Sequence, residues 1–254
     1  MAVNSWLRTA QSLIDRRLNI IQGILVGSDY LEVLQHAAQA LAGEKVDLPR
    51  PGAIVTALLQ AEKAAKQDKL SHLPQQLLGS WRLGFITGTK KSRQRAGIVL
   101  GAGRFLPTWL KINLAYTANA PIADPPNPEQ PPGAIGTILN QVQVGSLQFR
   151  LNGPMRFWDK NNIISFDFTQ MTLLLWGRSV YQGYIRNGRK KAASFHQQPL
   201  KEQAFFSYFL VQDQFVAARG RGGGLALWTK APEVQPNVEP FQPHIPPGES
   251  ANSM

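Results

Sequence analysis

From Trp81 to Lys230 the chain consists of short strand-like segments separated by polar turns, and this pattern constrains the fold more than any other feature. The stretch "WRLGFIT" alternates apolar and polar side chains with the period of two that is typical of a half-buried strand. Similar segments are "TWLKINLAY", "AIGTILNQVQV", "SLQFRLN", "NIISFDFTQMTLLLW", "SVYQGYIR", "QAFFSYFLV", "FVAAR" and "LALWTK". No helix-length segment lies between them, so the pattern predicts an antiparallel sheet closed into a barrel or sandwich.

Asparagine, glycine and aspartate supply the turns expected between these strands. They occur at "NGP" (152–154), "DKNN" (159–162) and "RNGRKK" (186–191). Two proline-rich stretches stand apart from the strand pattern. We expect "PIADPPNPEQPPG" to form an extended loop, and the tail from Ala231 to be disordered or to lie over the surface.

The first 70 residues have the periodicity of helices instead. "SWLRTAQSLIDRRLNIIQGIL" is amphipathic, and "AIVTALLQAEKAAKQDKL" is rich in good helix formers. Between them, "SDYLEVLQHAAQALAG" places Leu31, Leu34, Ala38 and Leu41 on one face, with Ser28 as a capping candidate and Gly43 at its end. The sequence therefore predicts a helical region (1–72), a β-barrel (73–230) and a proline-rich tail (231–254).

The stretch "FVAARGRGGGLALWTK" (215–230) allows three interpretations: a phosphate-binding loop, an RNA-binding arginine–glycine segment, or a hairpin. A phosphate loop needs a following helix and usually a Gly-Lys-Ser/Thr ending, and neither is present. RNA-binding arginine–glycine segments normally repeat, whereas this is a single copy between apolar runs. We therefore predict a β-hairpin in which Ala217, Leu225 and Leu227 face a core while Arg219 and Arg221 project outward.

Motifs at the two ends of this stretch carry a resemblance to a known family. "LLGSWRLGFIT" contains Leu77, Leu78, Gly79, Trp81, Leu83 and Thr87, and "VQDQFVAARGRGGGLALWTK" contains Asp213, Phe215, Arg219, Gly220, Gly223, Leu225 and Leu227. Together they resemble the elements that open and close the barrel of the plastid lipid-associated proteins, or fibrillins, of chloroplasts and cyanobacteria. The resemblance covers roughly residues 55–230.

The chain departs from the family pattern at several positions. The family often has arginine where Val216 stands, a second acid where Gln214 stands and phenylalanine where Ala226 stands, and the Asn-Pro that usually precedes the first strand is missing. These departures leave the family's charge network at the barrel end without its second Asp–Arg pair.

The resemblance implies a lipocalin-like barrel that binds a carotenoid, quinone, tetrapyrrole or lipid, and because no catalytic arrangement stands out in the sequence we expect a non-enzymatic binding protein. It also implies a peripheral location at the cytoplasmic face of the thylakoid membrane in a cyanobacterium, or in a plastid. A barrel of about eight strands has an interior wide enough for one small ligand, which makes this function physically reasonable.

Alternation along the strands selects candidate residues for the lining of such a barrel. They are Trp81, Leu83, Phe85, Phe149, Leu151, Ile164, Phe166, Phe168 and Leu227. The same alternation is equally typical of a barrel that is filled by its own side chains, and the sequence leaves the two alternatives open.

The net charge of +11 favours anionic partners. Basic residues collect at two predicted turns, beside the apolar "GRFLPTWL" stretch. We expect this set to contact a membrane surface or an acidic photosynthetic complex: Lys90, Lys91, Arg93, Arg95, Arg104, Phe105, Trp109, Arg186, Arg189, Lys190 and Lys191. Solvated turns that only maintain solubility are the alternative, and no recognition pattern for nucleic acid is present.

No arrangement of residues typical of catalysis or metal binding appears in the sequence. Cysteine is absent and only four histidines are present, none at ligand spacing, so we expect no metal site. The strand region has few acids, and we expect Asp213 and Arg219 to pair at the barrel mouth. Two alternative functions stay open. One is an assembly protein that docks on acidic complexes. The other is a bilin lyase, which would need an acid such as Glu202 or Asp213 inside the barrel.

Overall fold

The computed structural model describes residues 29–88, 103–119, 135–185 and 187–233. Two helices precede the sheet: α1 spans 29–42 and α2 spans Pro51–Gln67. Gly43, with a φ of +98°, follows the end of α1, and Pro51 begins α2, where its missing N–H costs nothing. Both helices were predicted. Three predictions lie outside the described residues. They are the helix at 5–25, the capping candidate Ser28 and the proline-rich loop at 121–133.

The described part of the chain contains 11 strands. They are β1 (Gly79–Ile86), β2 (Arg104–Phe105), β3 (Leu110–Ala118), β4 (Ile135–Val144), β5 (Leu147–Trp158), β6 (Ile163–Phe166), β7 (Gln170–Leu175), β8 (Arg178–Tyr184), β9 (Ala204–Val211), β10 (Phe215–Gly220) and β11 (Leu225–Lys230). The short helix α3 (Pro74–Leu77) leads into β1, and α4 (Gly188–Ser194) lies between β8 and β9.

Eight of these strands close into an antiparallel barrel. Neighbours follow in the order β4, β3, β1, β11, β10, β9, β6 and β5, and β5 pairs again with β4 to complete the ring. β7 pairs with β5 beyond the end of β6, and β8 pairs with β7. The predicted fold class, an antiparallel lipocalin-like barrel preceded by helices, is therefore confirmed.

The glycine-rich stretch forms the predicted hairpin between β10 and β11. Arg219 stands opposite Leu225, and the Gly220 N–H donates a hydrogen bond to the Gly224 carbonyl at 2.9 Å. Gly223 has a φ of +84°, a conformation that other residues adopt only with strain. The glycines therefore serve a turn, as predicted.

The turn predicted at 152–154 is wrong, because β5 continues without interruption through these residues. Its partner changes here from β7 to β6. A Cβ on Gly153 would lie 1.7 Å from the backbone oxygen of Asp167, so glycine permits the following chain to pass directly against the strand. The predicted turn at 159–162 is confirmed, with Asn162 in the left-handed conformation at a φ of +49°.

The buried side chains form two clusters on opposite faces of the barrel wall. One cluster draws on all eight barrel strands and on Leu77 of α3, so it lies inside the barrel; we call it the interior cluster. The other joins α1 and α2 to β1, β9, β10 and β11 on the outer wall, and we call it the outer cluster. Leu34 and Ala38 of the predicted α1 face are fully or almost fully buried in this outer cluster, and Leu31 and Leu41 pack against it.

Candidate functional site

Large aromatic side chains dominate the barrel interior. Trp81, Tyr116, Phe157 and Tyr208 are all at most 2% exposed. The hydroxyl groups of Tyr116 and Tyr208 lie 2.8 Å apart and share a hydrogen bond. Since β3 and β9 stand four places apart in a ring of eight strands, this bond crosses the barrel from one wall to the opposite wall.

Beyond the end of β6, the barrel opens into a wider sheet. We call this part the flared sheet; it comprises residues 110–114, 140–144 and 147–152 together with β7 and β8. It consists of the ends of β3, β4 and β5, followed by the whole of β7 and β8. The flared sheet therefore continues one wall of the barrel past its end.

An unbroken row of apolar side chains crosses the inner face of the flared sheet. In successive strands, the residues that stand directly opposite one another are Ile112, Val142, Phe149, Leu173 and Tyr181. Directly opposed residues of neighbouring strands present their side chains on the same face. The row is therefore one continuous apolar strip about five strands wide.

This apolar row faces the same way as the barrel interior. Phe149 and Met155 are an even number of residues apart in β5, whose register with β4 is unbroken, and Met155 belongs to the interior cluster. Phe149 is 36% exposed and Tyr181 47% exposed. The interior cluster is also incompletely covered at this end, which we call the mouth; the side chains concerned are Leu83, Ile86, Phe168 and Phe206.

The end of the flared sheet farthest from the barrel carries two exposed tryptophans, one before β3 and one after β7. The last row of opposed residues contains Leu110, Val144 and Leu175. Trp109 immediately precedes this row and Trp176 immediately follows it; they are 64% and 78% exposed. We call these two tryptophans and Val144, which is 41% exposed, the rim.

The turns that carry the rim lie against one another. The backbone N–H of Trp176, in the β7–β8 turn, donates a hydrogen bond of 3.0 Å to the carbonyl of Ser146 in the β4–β5 turn. Trp176 itself has a φ of +49°. The two turns that carry Val144 and Trp176 are thus held together at the rim.

The flared sheet carries positive but no negative side chains. The sequence has no aspartate or glutamate in 103–119, 135–158 or 168–201. Lys111 and Arg178 are exposed there, and Arg104 of β2 is exposed at the mouth. Arg150 is half-buried on the outer face, and burial lowers the pKa of its guanidinium. The apolar row is therefore surrounded by cationic side chains.

Most of the predicted lining residues lie in or beside the barrel interior. Trp81, Ile164 and Phe166 belong to the interior cluster, and Leu83 and Phe168 pack against it. Phe149 and Leu151 lie outside this cluster, on the inner face of the flared sheet.

Phe85 and Leu227 lie elsewhere: both belong to the outer cluster beneath the helices. The register between β1 and β11 shifts between Leu83 and Phe85, and this bulge turns Phe85 to the outer wall. Leu227 stands opposite Phe85 and shares its face, while the next residue, Trp228, occupies the interior. The predicted inward position of Phe85 is wrong because the prediction assumed uninterrupted alternation through this bulge.

The sequence analysis missed the interior residues Tyr116, Phe157, Tyr208 and Trp228. For two of them, alternation along the strand could have predicted the inward position. Tyr116 continues the alternation of Ile112 and Leu114 in β3, and Phe157 follows Met155 by two residues. For Tyr208 no simple alternation applied, because the β9–β10 register also shifts nearby.

The predicted contact residues fall into three groups. Arg104 and Trp109 lie at the flared end, as does Phe105, whose ring packs edge-on against Phe85 at a centroid distance of 5.1 Å. Phe105 therefore packs, partly buried, against the outer cluster. Lys90, Lys91, Arg93, Arg95 and Arg186 lie outside the described residues.

The third group, Arg189, Lys190 and Lys191, lies in α4, where a turn was predicted. The Arg189 guanidinium lies 5.3 Å from the centroid of the Tyr184 ring, and the Lys191 ammonium lies 3.8 Å from the Asp167 carboxylate. Tyr184 is the end of β8 farthest from the rim. These bases are therefore at the base of the flared sheet.

Arg219 is paired with a helix residue, and not with Asp213 as expected. Its guanidinium donates two hydrogen bonds to the carboxylate of Glu62 in α2 and a third to the Gly223 carbonyl. Arg219 is consequently half-buried on the outer wall, whereas Asp213 and Glu202 are exposed. Glu62 is the one buried carboxylate among the described residues, and it lies outside the interior cluster.

Three further findings concern metal binding, membrane crossing and similarity to known proteins. Within the described ranges, no three or more histidine, aspartate or glutamate side chains are grouped so as to hold a metal ion. None of the helices described here combines the length and apolar character needed to cross a membrane. Comparison of the chain with protein-family models and with curated proteins gives no match.

Proposed function

We propose that this protein binds a lipophilic molecule at the flared end of its barrel. The observation that carries the proposal is the partly exposed apolar row of the flared sheet, which continues the barrel interior. Contiguous exposed apolar surface on a soluble domain is typical of a ligand or interaction site. Each large apolar side chain that a ligand covers would contribute up to about 1.5–3 kcal/mol.

The rim suggests where the ligand comes from. Exposed tryptophans are enriched at the boundary between lipid headgroups and acyl chains, and cationic side chains beside an anionic bilayer contribute roughly 1 kcal/mol each. Trp109 and Trp176 with Arg104, Lys111 and Arg178 fit that description. We propose that the rim contacts an anionic membrane, from which the ligand passes directly to the flared sheet.

The motif resemblance to fibrillins favours a particular version of this function. In that version the ligand is a carotenoid, quinone, tetrapyrrole or lipid, and the membrane is the thylakoid of a cyanobacterium or plastid. This rests on the motifs around Trp81 and Arg219, and on the barrel that they open and close.

Solvent extraction tests the proposal directly. Protein purified from its native host without detergent should release a pigment, quinone or lipid that is detectable by absorption and mass spectrometry. In parallel, cis-parinaric acid should bind the recombinant protein, and Phe149→Gln should weaken its binding. Gln148→Ala, a neutral change on the opposite face of the same strand, is the control. Absence of both an extracted compound and any titratable binding would contradict the proposal.

A second candidate function is docking on an acidic protein complex through the same cationic end. The absence of aspartate and glutamate from the flared sheet favours it. Charge-driven docking weakens steeply with ionic strength, whereas binding of a lipophile in an apolar site does not. Pull-down at low and high salt therefore separates the two.

A further inference from the structure

The inner wall near the mouth contains polar groups that its own side chains leave unsatisfied. Asn140 stands directly opposite Leu114, a member of the interior cluster, so its side chain lies on the inner face. Its Oδ1 atom is buried and has no hydrogen-bond donor among the described residues. An unsatisfied buried acceptor costs about 1–3 kcal/mol.

Among the described residues, the Tyr116–Tyr208 pair has a hydroxyl hydrogen without an acceptor, whereas Asn140 has an acceptor without a donor. Two hydroxyl groups carry two hydrogens, and the Tyr116–Tyr208 bond uses one of them. In the part of the chain that the structure describes, each hydroxyl has the other as its partner, so one hydrogen stays available to an acceptor. Burial raises the pKa of both groups, so both remain protonated donors.

Asn140 and Tyr116 are neighbours on the inner wall. Tyr116 stands opposite Ile138 in β4, and Asn140 follows Ile138 by two residues on the same face. Side chains in such diagonal positions begin roughly 7 Å apart, within reach of aromatic and long side chains. Apolar residues flank them on the same face: Leu151 stands opposite Asn140, and the apolar row of Phe149 lies one step nearer the rim.

We infer that Asn140 and the Tyr116–Tyr208 pair form a subsite for a hydroxyl group on the lipophilic ligand. A hydroxyl both accepts, as the tyrosine hydrogen requires, and donates, as the Asn140 oxygen requires. A carbonyl would satisfy the tyrosine alone, and a hydrocarbon would satisfy neither. The preferred ligand class is therefore a hydroxylated lipophile, such as a quinol or an isoprenoid alcohol, with its hydroxyl inside the barrel and its apolar part on the flared sheet.

This inference rests on the proposed function and extends it to ligand selection. The test uses two matched probes, 2-methyl-1-naphthol and 2-methylnaphthalene, which differ by one hydroxyl group. Equilibrium dialysis against the full chain, without detergent or vesicles, gives both dissociation constants. Their ratio measures the hydroxyl preference independently of general apolar affinity.

We expect Asn140→Leu and Tyr116→Phe each to reduce the hydroxyl preference about 3- to 10-fold, the usual effect of one hydrogen bond. Binding of 2-methylnaphthalene should be unchanged or stronger. Gln143→Leu is the control, since Gln143 is on the outer face of the same strand. Asn140→Leu removes an unsatisfied polar atom and should fold normally, as circular dichroism will check.

The outcomes separate the two proposals. If both probes bind wild-type protein but neither variant changes the ratio from its wild-type value, the hydroxyl subsite is wrong and the apolar site stands. That result includes the case in which an internal water satisfies these groups. An equal change in Gln143→Leu also overturns the subsite, and failure of both probes to bind wild type overturns both proposals.

Discussion

Glu62 of α2 and Arg219 of β10 form a bidentate ion pair that joins the helical region to the barrel wall. The two residues are separated by 157 positions in the sequence. The side chains are only 11% and 30% exposed, so solvent screens the pair weakly. Arg219 also binds the Gly223 carbonyl at the glycine turn, so one side chain connects α2, β10 and the hairpin.

Replacing the carboxylate should destabilise the fold. In Glu62→Gln the Arg219 guanidinium stays half-buried beside a neutral acceptor, and we expect a loss of about 1–3 kcal/mol in the free energy of unfolding. Chemical denaturation monitored by circular dichroism measures it. Lys63→Gln, at the exposed neighbouring position, should change the free energy by less than about 0.5 kcal/mol. Equal effects of the two substitutions would contradict a stabilising role for the pair.

The same pair should make stability depend on pH in the acid range. The hydrogen bond from Arg219 lowers the pKa of Glu62 below its ordinary value of 4.5. A depressed folded-state pKa means that the stabilisation is complete above about 4.5 and disappears as the pH falls through the folded-state pKa. The stability difference between wild type and Glu62→Gln should therefore be constant from neutral pH to about pH 5 and shrink below it. Thermal unfolding across this range measures it, and a difference that grows on acidification would contradict the assignment.

Local patterns predicted the elements, whereas non-local contacts decided which face each residue occupies. The stripe of Leu34 and Ala38 and the glycine turn needed only helix periodicity and turn chemistry. By contrast, the bulge beside Gly84 puts Phe85 on the opposite face of the sheet. The alternation of apolar and polar residues does not reveal such a single-residue register shift. The Glu62–Arg219 pair was equally inaccessible, because nothing in the sequence relates positions 157 residues apart.

The turn wrongly predicted at Gly153 also reflects a non-local contact. A glycine next to polar residues is typical of a turn, but also of a place where another backbone segment passes close by. Gly153→Ala would place a methyl group 1.7 Å from the Asp167 oxygen, so the backbone after β6 must move. We expect a loss of more than about 2 kcal/mol in the free energy of unfolding, because the strain lies between two backbone segments. Gly52→Ala, in α2 with open space around it, should be neutral or slightly stabilising. Denaturant unfolding compares the two, and equal stabilities would refute the close approach.

The rim proposal predicts that membrane binding depends on Trp176. Trp176→Ala removes a side chain that is 78% exposed, so the fold should be unaffected. Partitioning onto vesicles that contain phosphatidylglycerol should fall about fivefold, since half-burying an aromatic side chain contributes about 1 kcal/mol. Sedimentation with vesicles of phosphatidylcholine alone should show weaker binding, because Arg104, Lys111 and Arg178 then lack anionic partners. Leu73→Ala is the matched control, since Leu73 is 63% exposed and precedes α3, at the barrel end away from the rim. If Leu73→Ala weakens partitioning as much as Trp176→Ala does, the rim is not the membrane-facing edge.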